Sequence, residues 1–116
     1  MGWSGLDQRA FPRLSARLDI AIQDRQFGQG LKAKTQNVGA GGVCVILDRA
    51  LEKLSQVGLR LTLAESEKPI ECDGRVVWMV RSKDPASGKV SFDTGIEFLN
   101  LLPQDRTRIE QFIQSS

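Results

Sequence analysis

Leu14-Ser15-Ala16-Arg17-Leu18-Asp19-Ile20-Ala21-Ile22-Gln23 carries apolar residues at 14, 16, 18, 20 and 22, with Ser15, Arg17, Asp19 and Gln23 on the opposite set. A period of two is the signature of a strand with one buried face. The same alternation returns along the chain. Leu31, Ala33 and Thr35 alternate with Lys32, Lys34 and Gln36, after a turn at Gly28 and Gly30. A third strand is predicted at Val43 to Leu47, and a fourth on Leu59, Leu61 and Leu63. The fifth runs from Ile70 to Val80, with Ile70, Cys72, Val76, Trp78 and Val80 as its buried set. The sixth holds Val90, Phe92, Thr94, Ile96 and Phe98.

Between these runs lie breakers. Asn37-Val38-Gly39-Ala40-Gly41-Gly42 is too rich in glycine to continue as a regular strand and reads as a turn. Asp48 to Gln56 is polar, with Leu51 and Leu54 three apart, and suggests a short helical turn ending at Gly58. Lys83 to Gly88 is a loop of turn-formers. Pro103, followed by Ile109, Phe112 and Ile113, marks a C-terminal helix with one narrow apolar stripe. Six short strands and one helix predict an all-β domain, a six-stranded antiparallel barrel with a C-terminal α-helix, with a β-sandwich as the alternative. Residues 1–12 lack periodicity and read as a flexible N-terminal arm, leaving 13–116 as the barrel domain with its helix.

Composition narrows the function. The 116 residues suit one domain with one core. A net charge of +2 does not suit a protein that coats nucleic acid through bulk charge, so a bound anion must be gripped by placed residues. The Lys32/Lys34 edge lacks the exposed stacking aromatics that small nucleic-acid-binding barrels use, and no nucleic-acid partner is expected. There is no histidine, which removes imidazole catalysis and most zinc sites; no metal or cofactor is expected. No nucleophile is placed beside a base, so the chain is not expected to be an enzyme. Cys44 and Cys72 are expected as free buried thiols. With no signal-like N-terminus and no stretch long enough to span a bilayer, the expectation is a cytoplasmic protein without membrane insertion.

Two segments carry chemistry. In Arg9-Ala10-Phe11-Pro12-Arg13, Pro12 restricts Phe11 to extended conformations. Four extended residues span roughly 13 Å, so the two arginines can reach separate parts of one ligand. A guanidinium fork suits phosphate oxygens or the O6/N7 edge of guanine. In the turn at 37–42, the Asn37 side-chain oxygen can accept from a guanine Watson–Crick edge, and its glycines permit close backbone approach.

Two arginines four apart before the first strand, then Asn-x-x-x-x-Gly one hairpin later, resemble the PilZ family pattern of Arg-x-x-x-Arg and Asp/Asn-x-Ser-x-x-Gly. Gly74-Arg75-Val76-Val77-Trp78 is similar to that family's fifth-strand signature. Thr94-Gly95-Ile96-Glu97-Phe98-Leu99 and the helix beyond are similar to its closing elements.

The resemblance implies a bacterial receptor for the second messenger cyclic di-GMP that regulates a partner protein in motility, adhesion or exopolysaccharide export. Arg9 and Arg13 would hold phosphates and guanine edges, Asn37 would accept from guanine, and Gly42 would keep the turn close. Trp78 would either meet the ligand or fill a barrel end. Gly39 stands where the family has serine, and a lost hydroxyl costs about 1 kcal/mol, or roughly five- to ten-fold in affinity. Gly39 also motivates the alternative of a degenerate domain that contacts proteins without nucleotide. Gln8 in place of a further arginine favours one ligand per domain.

Overall fold

The computed structural model describes residues 13–24 and 29–115. Within them run seven strands: β1 (Arg13–Ser15), β2 (Asp19–Asp24), β3 (Gln29–Gly39), β4 (Gly42–Leu47), β5 (Gln56–Thr62), β6 (Ile70–Lys83) and β7 (Val90–Phe98). One helix among the described residues, α1 (Pro103–Gln114), follows. The sheet order β1-β3-β2-β5-β6-β7-β4, with β3 also paired to β4, closes β2 to β7 into a six-stranded antiparallel barrel and leaves β1 as an extra strand on β3. The barrel expected from the alternation is therefore the fold, and the sandwich alternative falls because the β3–β4 pairing leaves no second sheet.

The core is the inward half of each alternation. Ile20, Ile22, Val57, Leu59, Leu61, Ile70, Val76 and Ile96 are buried inside the ring. Ile109 of α1 is fully buried against them, with Phe112 and Ile113 packed alongside. Pro103 suits the first helical turn, where its missing N–H has no intrahelical acceptor to satisfy. Gly74 is part of this packing, because a Cβ there would lie 2.7 Å from both Ile96 Cγ2 and Leu59 Cδ1.

Several expectations need correction. The run 14–23 is not one strand but β1 and β2, broken at Ala16–Leu18. Buried Thr35 holds the break: its hydroxyl accepts from Leu18 N–H at 2.9 Å and donates to Ala16 C=O at 2.6 Å. Backbone groups that leave the ladder are thus satisfied by a side chain rather than abandoned.

Residues 37–42 are not a long turn either. β3 continues through Gly39, flanked by β1 and β4, and only Ala40–Gly41 turn. Pairing on both sides offsets the poor strand propensity of glycine. Gly30 lies in β3 opposite Gln23 rather than in a turn. The helical turn expected at 48–56 is absent; Leu51 is buried, Leu54 takes a φ of 71°, and β5 already begins at Gln56. The arm at 1–12, with Arg9 and Gln8, lies outside the described residues.

Candidate binding face

Antiparallel partners project their side chains to the same face of a sheet. Following the register from strand to strand, the ladder aligns Leu14, Val38, Val43, Ile96 and Val76 in one row. Val38, Val43, Ile96 and Val76 in that row are fully buried, which identifies the inward face. The two flanking rows therefore face outward. One is Arg13, Gly39, Gly42, Glu97 and Arg75; the other is Ser15, Asn37, Cys44, Gly95 and Trp78. At about 4.8 Å per strand spacing, four spacings make this face roughly 19 Å wide.

The floor of this face is stripped of side chains at Gly39, Gly42 and Gly95, so a flat ligand can approach the backbone. Side chains stand around it. The Arg13 guanidinium donates to Asn37 Oδ1 through Nε at 2.9 Å and through Nη2. Arg75 and Glu97 form an exposed ion pair at 3.5 Å, on the edge of the same face. Cys44 lies between Asn37 and Gly95 in register. Burial pushes its thiol pKa up, Asp93 adds to that, and nearby Arg13 draws it down. The thiol is therefore a neutral part of the floor at physiological pH.

Trp78 is the residue whose position the alternation misjudged. Val76 pairs with Ile96 and Trp78 with Gly95, so Val77 is an extra residue in β6 and forms a bulge. A one-residue insertion flips all that follows to the other face. The buried set expected through 76, 78 and 80 ends at Val76, and Val80 is 54% exposed. Trp78 turns outward and lies across Gly95: a Cβ on Gly95 would sit 2.2 Å from its Nε1 and 2.4 Å from its Cε2. Gly95 is glycine because the indole occupies that space.

Of the expected site residues, Arg13, Asn37, Gly39, Gly42 and Trp78 are thus brought onto one face. Arg9 lies outside the described residues. Cys44, Arg75, Gly95 and Glu97 join the face unforeseen, although pairing the quoted segments 74–78 and 94–99 in register identifies the last three. A groove of about 810 Å³ lies elsewhere, lined by Gly30, Gly58, Cys72 and Asn100 among others, and includes none of the expected residues. Among the described residues no cluster of three or more potential metal ligands occurs. No helix there is long and apolar enough to cross a membrane.

The model of the PilZ domain matches residues 7–115 of this sequence. The chain belongs to the PilZ family. Solved PilZ-type structures share its fold. The PilZ domain with c-di-GMP of YcgR from Escherichia coli is 15% identical, with a TM-score of 0.75 over 93% of this chain and 90% of that one. The Bacillus subtilis inhibitor of motility MotI/DgrA is 24% identical, with a TM-score of 0.73 over 90% of this chain and 49% of that one. The Klebsiella pneumoniae MrkH–c-di-GMP complex is 16% identical, with a TM-score of 0.70 over 90% and 49%. The chain spans about half the length of MotI/DgrA and of MrkH. A search of curated protein sequences finds no match.

Proposed function

We propose that this PilZ chain is a cytoplasmic cyclic di-GMP receptor that acts by changing its surface toward a protein partner and catalyses no reaction itself. The observation that carries the reading is the glycine-floored outer face, with a guanidinium at one side and an indole at the other. Arg13 supplies planar donors for phosphate or the guanine O6/N7 edge. Trp78 offers a face on which a guanine stacks, as aromatic side chains do for bases generally. Arg9, in the segment before β1, would add a second guanidinium to the bound ligand. Gln8 leaves the stoichiometry at one nucleotide per chain.

Asn37 needs a different account from simple acceptance. Its Oδ1 already accepts from Arg13. Ligand entry exchanges that contact for two: Arg13 turns to a ligand oxygen, and Asn37 accepts from guanine N–H groups. The outgoing bond is charge-assisted and worth about 1.5–3 kcal/mol, so the incoming pair must exceed it. Gly39 contributes floor and no hydroxyl.

The shared fold of MotI/DgrA, an inhibitor of motility, and of the c-di-GMP-bound YcgR and MrkH supports a regulatory role of this kind. The second reading, a protein-interaction module without nucleotide, is favoured by Gly39 together with the closed Arg13–Asn37 contact. Calorimetric titration separates the two. Cyclic di-GMP should bind at one per chain, with GMP and cyclic di-AMP inert and Arg13→Ala impaired. Absence of heat at high micromolar ligand would favour the second reading, and two ligands per chain would overturn the stoichiometry.

A further inference from the structure

β6 extends past β5. β5 pairs with it from Ile70 to Arg75, and the chain before β5 continues to Val76, where Leu54 N–H donates to Val76 C=O and Val76 N–H to Ser55 C=O. Beyond that point β6 pairs, among the described residues, only with β7, through Lys83. Residues 77–83 are thus a strand with one covered edge and one edge that no described residue pairs with. On the β7 side, Phe98 N–H donates to Gly41 C=O, so the even-numbered residues of β7 direct their backbone toward β4 and the odd-numbered ones toward β6. The β6 partners of Gly95, Asp93 and Ser91 are Trp78, Val80 and Ser82. The backbone N–H and C=O of Met79, Arg81 and Lys83 therefore point to the open edge, where no described residue meets them.

Such an edge is a template for another strand, and proteins blunt it with charge. Arg81 and Lys83 are exposed and make no ion pair with any described residue. Edge-to-edge pairing of two copies would set cation against cation, so these residues disfavour a second copy of this chain. They equally favour an acidic one. The ribbon that presents them is preformed. At its tip Asp84 accepts from Ala86 N–H and Ser87 Oγ–H, both at 3.0 Å, and Asp84 N–H donates to Lys89 C=O at 2.8 Å. Those bonds hold the Asp84 carboxyl below its usual pKa range and keep its charge occupied within the loop. On the other face of the ribbon, exposed Val80 lies beside Asp93 and Ile46, itself 39% exposed.

We propose that the edge of β6 at Met79–Lys83 is a docking site for an extended acidic peptide segment of a partner protein, which adds to the barrel as a further strand. Its carboxylates fall on the Arg81/Lys83 face and its apolar side chains on the Val80 face. The occupant is thus a segment that alternates acidic with β-branched residues. This surface does not depend on the nucleotide reading, and it adjoins Trp78 on the same strand.

The test uses the full ¹⁵N-labelled chain and a synthetic peptide of about eight residues, an ordinary strand length, alternating Glu with Val and Thr. Added peptide should shift resonances from Trp78 to Lys83 and slow exchange of the Met79, Arg81 and Lys83 amides. Methylating alternate peptide nitrogens, which removes the ladder donors, should abolish this. Arg81→Glu with Lys83→Glu should weaken binding about tenfold while the circular dichroism spectrum is kept, as loss and reversal of two exposed pairs implies. The proposal is overturned if shifts centre on Lys32 and Lys34, or if the methylated peptide binds equally. It is also overturned if a DNA duplex of equal charge protects the same amides, or if sedimentation shows the edge already buried between two copies.

Discussion

Replacing Gly95 by alanine tests how the proposed binding face is built. The backbone at Gly95 does not require glycine, since Gly88 is the only described glycine with positive φ. Space does. The new Cβ would lie 2.2, 2.4 and 2.8 Å from Nε1, Cε2 and Cδ1 of Trp78. Carbon contacts relax at about 3.5–4.0 Å, so the indole must retreat by roughly 1.3 Å or swing off the strand. Overpacking of this kind costs about 1–3 kcal/mol in stability. A base stacked on an aromatic is worth about 1–3 kcal/mol, so a displaced indole should weaken cyclic di-GMP binding by about 5- to 150-fold. Calorimetry on Gly95→Ala beside Trp78→Ala, with thermal melts on both, separates the effects. Both variants should lose affinity, and only Gly95→Ala should carry the overpacking penalty. Native affinity in a folded Gly95→Ala would refute the assignment of Trp78 to the ligand.

Two further outcomes are expected. Gly39→Ser, which returns a hydroxyl to the row of Arg13, should tighten binding about five- to ten-fold in the same titration, as one hydrogen bond of about 1 kcal/mol implies; unchanged or weaker binding would show that position 39 does not face the ligand. Burial, with Asp73 and Asp105 nearby, pushes the Cys72 thiol up to about 11 from 9.0. Below about pH 9 both folded and unfolded thiols are protonated and this contribution to stability is complete; between about 9 and 11 the unfolded chain alone releases the proton, so stability falls as pH rises. Denaturant titrations across that window should show a shallower loss in Cys72→Ala than in the parent.

The alternation made the barrel legible because a half-buried strand must place apolar residues every second position. It failed where one residue breaks the count. Val77 has nothing in its chemistry that marks a bulge, so Trp78 and Val80 read as core when they face outward. The clasp of Thr35 on Ala16 and Leu18 was equally hidden, because a threonine in an alternating run looks like any strand residue. Gly39 looked like a turn residue, and its place in β3 depends on β1 and β4 flanking it, a contact no local pattern contains. The site motifs were readable as short words. Their convergence with Gly95 and Cys44 on one face became visible only through the register that joins five strands.

The most direct measurement is a map of backbone and indole resonances on adding cyclic di-GMP to the labelled chain. The largest changes are expected at Arg13, Asn37, Gly39, Gly42 and Gly95 and at the Trp78 indole N–H, all on the two outward rows. Changes centred instead on Gly30, Gly58 and Asn100, around the groove elsewhere on the barrel, would contradict it.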